Sequence, residues 1–179
     1  MAEAGQTSKW RMRFWYGLLV LGLLYLQLLP LQTVPRSWAG PDLIVLFTVA
    51  WSIRRPEYVP TVLVAVMALL VDFILLRPPG VMAATLVVAR QLLKRQEPGL
   101  RDATFMTEWM VAALALAGLA LANRVFLAIF LVDQAPLGMT LMELAMNVMA
   151  YPMVVLVSHV AFGIRKVVPG ETDAVAGAI

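Results

Sequence analysis

Apolar positions along the chain gather into six blocks divided by short polar stretches rich in proline, glycine and charge, and each block is predicted to be a helix. The first runs from Phe14 to Leu31 behind Lys9, Arg11 and Arg13. The second, Asp42 to Ile53, is short, follows Pro41 as a helix-starting residue, and is closed by Arg54, Arg55 and Glu57. Pro60 starts the third, Val59 to Leu76, and Arg77-Pro78-Pro79-Gly80 ends it, because two prolines and a glycine dictate a turn. The fourth, Val81 to Leu93, gives way at Lys94 and Arg95 to the stretch Gln96 to Thr107, expected to be a solvated linker between two halves. Glu108 to Val132 forms the fifth block, and Asp133 to Gly138 turns the chain. The sixth, Met139 to Ile164, contains Pro152, where a kink is expected.

Composition turns these helices into spans. A chain of 179 residues with 61% hydrophobic and 14% charged residues cannot cover itself with a wetted surface, so its solvent is expected to be lipid. At about 20 residues per span, this length accommodates about six spans and no separate soluble domain. The expected fold class is therefore an all-α integral membrane protein with about six transmembrane helices in one domain, 14–166. Residues 1–13 are expected to form a cytoplasmic amino-terminal segment, and 167–179 a cytoplasmic, disordered tail of small and polar residues. A cleaved secretory signal ending near Ser37-Trp38-Ala39 is the alternative for the first block, whose length favours a retained helix.

Charge sets the orientation. With the amino terminus inside, Lys9, Arg11, Arg13, Arg54, Arg55, Arg90, Lys94, Arg95, Arg101, Arg165 and Lys166 are cytoplasmic, whereas Arg36 and Arg77 are outside. Both termini are then cytoplasmic. Because the cations flank apolar blocks, the net charge of +3 reads as a topology signal rather than as a nucleic-acid surface. Trp38, Trp51, Trp109 and Tyr58 are expected at the interfaces.

Charges inside apolar blocks are costly, and three stand out: Asp72, Arg124 and Glu143. All three fall in the outer half of the membrane, where Arg124 and Glu143 are the first-choice ion pair and Asp72 is the competing partner. Thr140, Glu143, Asn147 and Tyr151 recur every three or four residues as one polar stripe that should face other helices. Asp72, Arg124, Glu143, Asn147 and Tyr151 thus form the candidate intramembrane cluster, either as interhelical glue or as the lining of a cavity. Ala113, Ala117, Gly118 and Ala122 are expected to permit close helix packing, and the eleven methionines to fill gaps in it.

Little suggests catalysis. The chain lacks cysteine, a phosphate-binding glycine loop and a His-Glu-x-x-His pattern, and the adjacent Ser158 and His159 point about 100° apart on a helix. No catalytic residue, metal site or cofactor is expected.

Pro41-Asp42-Leu43-Ile44-Val45-Leu46, then Trp51-Ser52-Ile53-Arg54-Arg55-Pro56-Glu57-Tyr58, resemble the MreD family of bacterial rod-shape-determining proteins. The resemblance continues through Leu69-Leu70-Val71-Asp72, Arg77-Pro78-Pro79-Gly80, Leu121-Ala122-Asn123-Arg124, Gln134-Ala135-Pro136-Leu137-Gly138 and Ala150-Tyr151-Pro152. Pro41, Asp42, Trp51, Pro79 and Gly80 are its motif positions. The resemblance implies a multi-pass protein of the bacterial inner membrane that binds MreC. It also implies a complex with the MreB filament, a RodA-type polymerase and the elongation-specific penicillin-binding protein. The family is similar in outline to the six-helix substrate-binding subunits of energy-coupling-factor transporters. The implied function is a non-enzymatic scaffold of cell elongation and peptidoglycan synthesis; a small-molecule-binding transporter subunit is the alternative.

Overall fold

The structure, a computed structural model, describes residues 2–29, 39–100 and 103–164. These contain six α-helices and no strand: α1 (Ala2–Leu28), α2 (Leu43–Arg54), α3 (Thr61–Ile74), α4 (Val81–Leu100), α5 (Phe105–Ile129) and α6 (Leu137–Phe162). Expectations placed on Arg36, Ser37, Trp38, Arg101, Asp102, Arg165, Lys166 and the tail 167–179 lie outside the described residues.

Each apolar block is a helix, but local chemistry moves several ends. Asp42, rather than Pro41, marks the start of α2: its Oδ1 accepts the N–H groups of Ile44 (3.1 Å) and Val45 (3.3 Å). A short acidic side chain satisfies the orphan donors of a helix start, which leaves Pro41 outside. The helix α1 begins at Ala2, so the basic residues before Phe14 are helical, and Lys9 Nζ reaches Glu57 at 2.9 Å.

The expected linker at Gln96 begins instead as the last turn of α4, which passes through Pro98 to a buried Leu100. A proline removes one helical N–H, and near a helix end the freed carbonyl is easily satisfied by water. Packing of Leu100 then holds the turn. Likewise α6 runs through Pro152 without ending.

The shortest helix is the most enclosed. Every residue of α2 from Ile44 to Ile53 is buried, against α1, α4, α5 and α6. At 1.5 Å per residue its 12 residues rise only about 18 Å, so α2 meets its neighbours along its whole length. Trp51, expected at an interface, is fully buried: its ring centroid lies 5.6 Å from that of Tyr16 and 5.3 Å from that of Phe162. From α1 come Tyr16, Val20 and Leu24, four residues apart and all buried.

The long helices behave differently. Both α5 and α6 are long and apolar enough to cross a membrane, yet only 17% and 28% of their apolar windows are buried inside the protein. Leu114, Leu121 and Ile129 on α5 and Met149, Met153 and Val160 on α6 are each at least 66% exposed. An apolar helix that turns most of its surface outward needs an apolar solvent.

Two expectations about side chains are corrected by this outward face. Met149 and Met153 project away from the bundle rather than filling gaps within it. Gly118 presses against no neighbour, since a Cβ built there meets no heavy atom within 4 Å, so it does not mediate close approach.

Successive helices alternate in direction, giving the bundle two ends. One carries the end of α2, the starts of α3 and α5, and Glu108; the other carries the start of α2, the ends of α3 and α5, the start of α6, and Glu143. The hairpins α3–α4 and α5–α6 leave their first helices alike: Arg77 N–H bonds the Asp72 carbonyl (2.9 Å) and Val132 N–H that of Leu127 (3.0 Å). In both, a leucine (Leu76, φ 53°; Leu131, φ 54°) takes the left-handed position that glycine usually occupies.

Candidate functional site

The polar side chains expected to form one cluster belong to different ends of the bundle, because the helices that carry them enter it at different depths.

At the Glu108 end, Glu108 in the first turn of α5 is fully buried and meets Arg54 at the end of α2 through two bonds, Nε–Oε1 at 2.7 Å and Nη2–Oε2 at 3.2 Å. Tyr151 of α6 donates its hydroxyl to the same carboxylate at 3.0 Å. Three helices are thus joined at one carboxylate, whose negative charge also suits the amino-terminal turn it occupies. Two bonds to a planar guanidinium are what a buried carboxylate needs to offset its lost hydration.

Arg90, read from sequence as a topology cation, is also buried. Its guanidinium donates to the carbonyls of Pro56 (2.9 Å) and Val59 (2.9 Å) and to the hydroxyl of Thr61 (2.9 Å), which fastens α4 to the α2–α3 turn. Further along α6, Trp51 Nε1 donates to Ser158 Oγ at 3.1 Å, so that hydroxyl serves packing beside His159.

At the Glu143 end, Asp72 is fully buried and caps α4: its Oδ2 accepts the N–H groups of Gly80 (3.0 Å) and Ala83 (3.2 Å). It therefore does not partner Arg124. Pro79 and Gly80 form the turn that delivers those N–H groups, with Gly80 at φ +88°, which favours glycine. Asp42 receives a weak bond from Arg77 (3.4 Å), and its own N–H bonds Oδ1 of the buried Asn147 at 2.8 Å.

The expected ion pair between Arg124 and Glu143 is absent among the described residues. Arg124 Nη1 donates instead to Thr140 Oγ1 (2.7 Å) and the Ala135 carbonyl (3.1 Å), so the α5–α6 turn takes the guanidinium before it reaches the next turn of α6. Gln134 bonds back to the Arg124 carbonyl at 3.1 Å.

Two clefts border Glu143. One, of about 160 Å³, is lined by Asn123, Arg124, Thr140, Glu143 and Asn147; the other, of about 500 Å³, by Gln27, Asp42, Arg77, Met139, Thr140 and Glu143. Of the predicted cluster, Arg124, Glu143 and Asn147 share a cleft, whereas Asp72 and Tyr151 are spent elsewhere. Of the α6 stripe, Asn147 and Tyr151 are buried, and Thr140 and Glu143 are half-buried at the clefts.

Sequence reading missed Glu108, Arg54 and Arg90. A signal for Glu108 exists: Tyr151 lies on the polar stripe without a sequence-assigned partner, and Glu108 is the one carboxylate at the start of α5. Comparison of the chain with family models, with curated proteins and with solved structures finds no match.

Proposed function

We propose that this chain is a multi-span scaffold of the bacterial inner membrane that takes part in cell elongation, with the Glu108 end cytoplasmic. In this reading it binds a single-span partner of the MreC type and helps hold the wall-synthesis enzymes in place. The observation that carries the reading is what the resembling motifs do in the fold. Asp42 caps α2 and meets Asn147; Trp51 bonds Ser158; Asp72 caps α4 through Gly80; Tyr151 closes on Glu108. Residues far apart in the sequence are used to join helices, as a scaffold requires.

Three further features support it. Lys9, Arg11, Arg13, Arg54, Arg55, Arg90, Lys94 and Arg95 belong to the Glu108 end, and the bias of lysine and arginine to the cytoplasmic side would orient six spans accordingly. The short α2 and α3 cross with them because buried neighbours, not lipid, surround α2. The outward apolar faces of α5 and α6 offer surface both to lipid and to a partner helix.

Co-expression with an MreC-type partner tests this reading. The expected outcome is a complex that survives detergent extraction, and charge-reversing substitutions on the partner's soluble part should leave it intact because helix packing holds it. Loss of the chain should round the cells. Normal rod shape without it overturns the proposal, as does a reporter at 96–107 that reads outside.

A second reading, a small-molecule-binding subunit of a transporter, is favoured by one observation: the open clefts around Glu143.

A further inference from the structure

The Glu143 end holds a cation and an anion that share a cleft and do not pair with each other. Glu143 forms no hydrogen bond or ion pair with any described residue, and the charges that face it are Asp42 and Arg77, already bonded together at 3.4 Å. Arg124 has no carboxylate within ion-pair distance among the described residues, and both of its bonds use Nη1, which leaves Nε and Nη2. Thr140, which anchors Arg124, precedes Glu143 by three positions on the same face, an axial rise of about 4.5 Å. A carboxylate and a guanidinium that line one cleft without pairing with each other are complementary to a small zwitterion.

The form of the larger cleft narrows the choice. Its wall runs from Gln27 of α1 to Met139 of α6. At the opposite end α1 and α6 meet through the rings of Trp15 and Phe162, whose centroids are 6.3 Å apart. A seam between two helices therefore closes at one end and opens at the other into a polar pocket. About 500 Å³ admits a headgroup and not a whole lipid. Tyr25, Leu26 and Leu28, which flank Gln27 on α1, and Leu141, next to Thr140 on α6, are each more than half exposed and give apolar surface beside the cleft for acyl chains.

We propose that the two clefts, which share Ala135, Thr140 and Glu143 with Arg124 lining the smaller one, together bind an ammonium–phosphate zwitterion, the headgroup of an aminophospholipid. The ammonium donates to Glu143, the phosphate accepts from Nε and Nη2 of Arg124, and the acyl chains leave along the α1–α6 seam. The proposal rests on the membrane reading of the bundle and on the clefts that favour the second reading, but it requires neither transport nor an MreC-type partner.

The test is native mass spectrometry of the purified full chain in mild detergent with phosphatidylethanolamine, phosphatidylcholine and phosphatidylglycerol of identical acyl chains. Phosphatidylethanolamine should be retained about tenfold over either competitor, because only it combines a phosphate with an N–H-bearing cation. Glu143→Gln should bring it down to the phosphatidylcholine level, and Arg124→Gln should weaken both alike. Equal retention of the three lipids by the native chain overturns the proposal and needs no variant to fold. So does an undiminished preference in Glu143→Gln. Competition by free O-phosphoethanolamine distinguishes the sources: displacement of the lipid indicates a soluble ligand of this chemistry, and no displacement indicates the lipid. Either outcome keeps the zwitterion site. If the MreC-type complex fails to form, these lipid measurements are unaffected, so the two readings fail separately.

Discussion

The two ends of the bundle use similar residues in opposite ways. At the Glu108 end, the buried carboxylate takes two bonds from Arg54 and one from Tyr151, and Arg90 spreads its donors over the α2–α3 turn. At the Glu143 end, a carboxylate and a guanidinium stand near one cleft, and the guanidinium bonds neutral oxygens instead. Charge withdrawn from water is retained as structure where its bonding is complete. Where bonding is incomplete and a cavity adjoins, the charge is available to a ligand. The first end is a fastening and the second an opening.

The largest effect should follow from breaking the fastening. Glu108→Ala leaves Arg54 and Tyr151 in a buried site without their acceptor, and the expected loss is about 3 to 5 kcal/mol. Reversible unfolding in mixed micelles measures it. Replacing both partners, as Arg54→Met with Glu108→Leu, should recover much of that loss, because no uncompensated charge then stays buried. A loss below about 1 kcal/mol in Glu108→Ala would place this pair among ordinary surface bridges and remove the contrast.

The asymmetry also explains what was legible in the sequence. The six apolar blocks anticipate all six helices, although α1 begins before its basic residues at Ala2 and α4 runs past Pro98 and Gly99 to Leu100. The inward face of Asn147 and Tyr151 was legible from spacing alone. Burial of Trp51, Arg90 and Glu108 was not, because each depends on α2 becoming the enclosed helix, a long-range outcome that a short apolar block does not announce. From sequence, Arg54 closes the second block and Glu108 opens the fifth, when they are in fact partners. Opposite sign and similar depth suggested Arg124 with Glu143, but the tight turn at Ala135 offered closer oxygens.

A smaller effect is expected at Asp72, the capping residue of the open end. Asp72→Ala strips α4 of its acceptor for Gly80 and Ala83, a loss of about 1 to 2 kcal/mol, whereas Asp72→Asn keeps an oxygen at the same place and should lose less than half of that. The same unfolding measurement separates them. Equal losses in the two variants would mean that the negative charge, and not the acceptor geometry, is what α4 requires.

The smallest effect is the one that sharpens the comparison most. If Arg124 and Glu143 do not pair, the exchange Arg124→Glu with Glu143→Arg should restore nothing beyond the sum of the single changes, with a coupling below about 0.5 kcal/mol. The corresponding cycle at Arg54 and Glu108 should show coupling several times larger. Glu143→Gln alone should leave stability unchanged or slightly raised, since it removes a partly buried charge that forms no ion pair with a described residue and faces the like charge of Asp42. A coupling above about 1 kcal/mol at the open end would mean that the two side chains close on each other in the membrane. The cleft would then be filled from within, and the distinction between a fastened end and an open one would collapse.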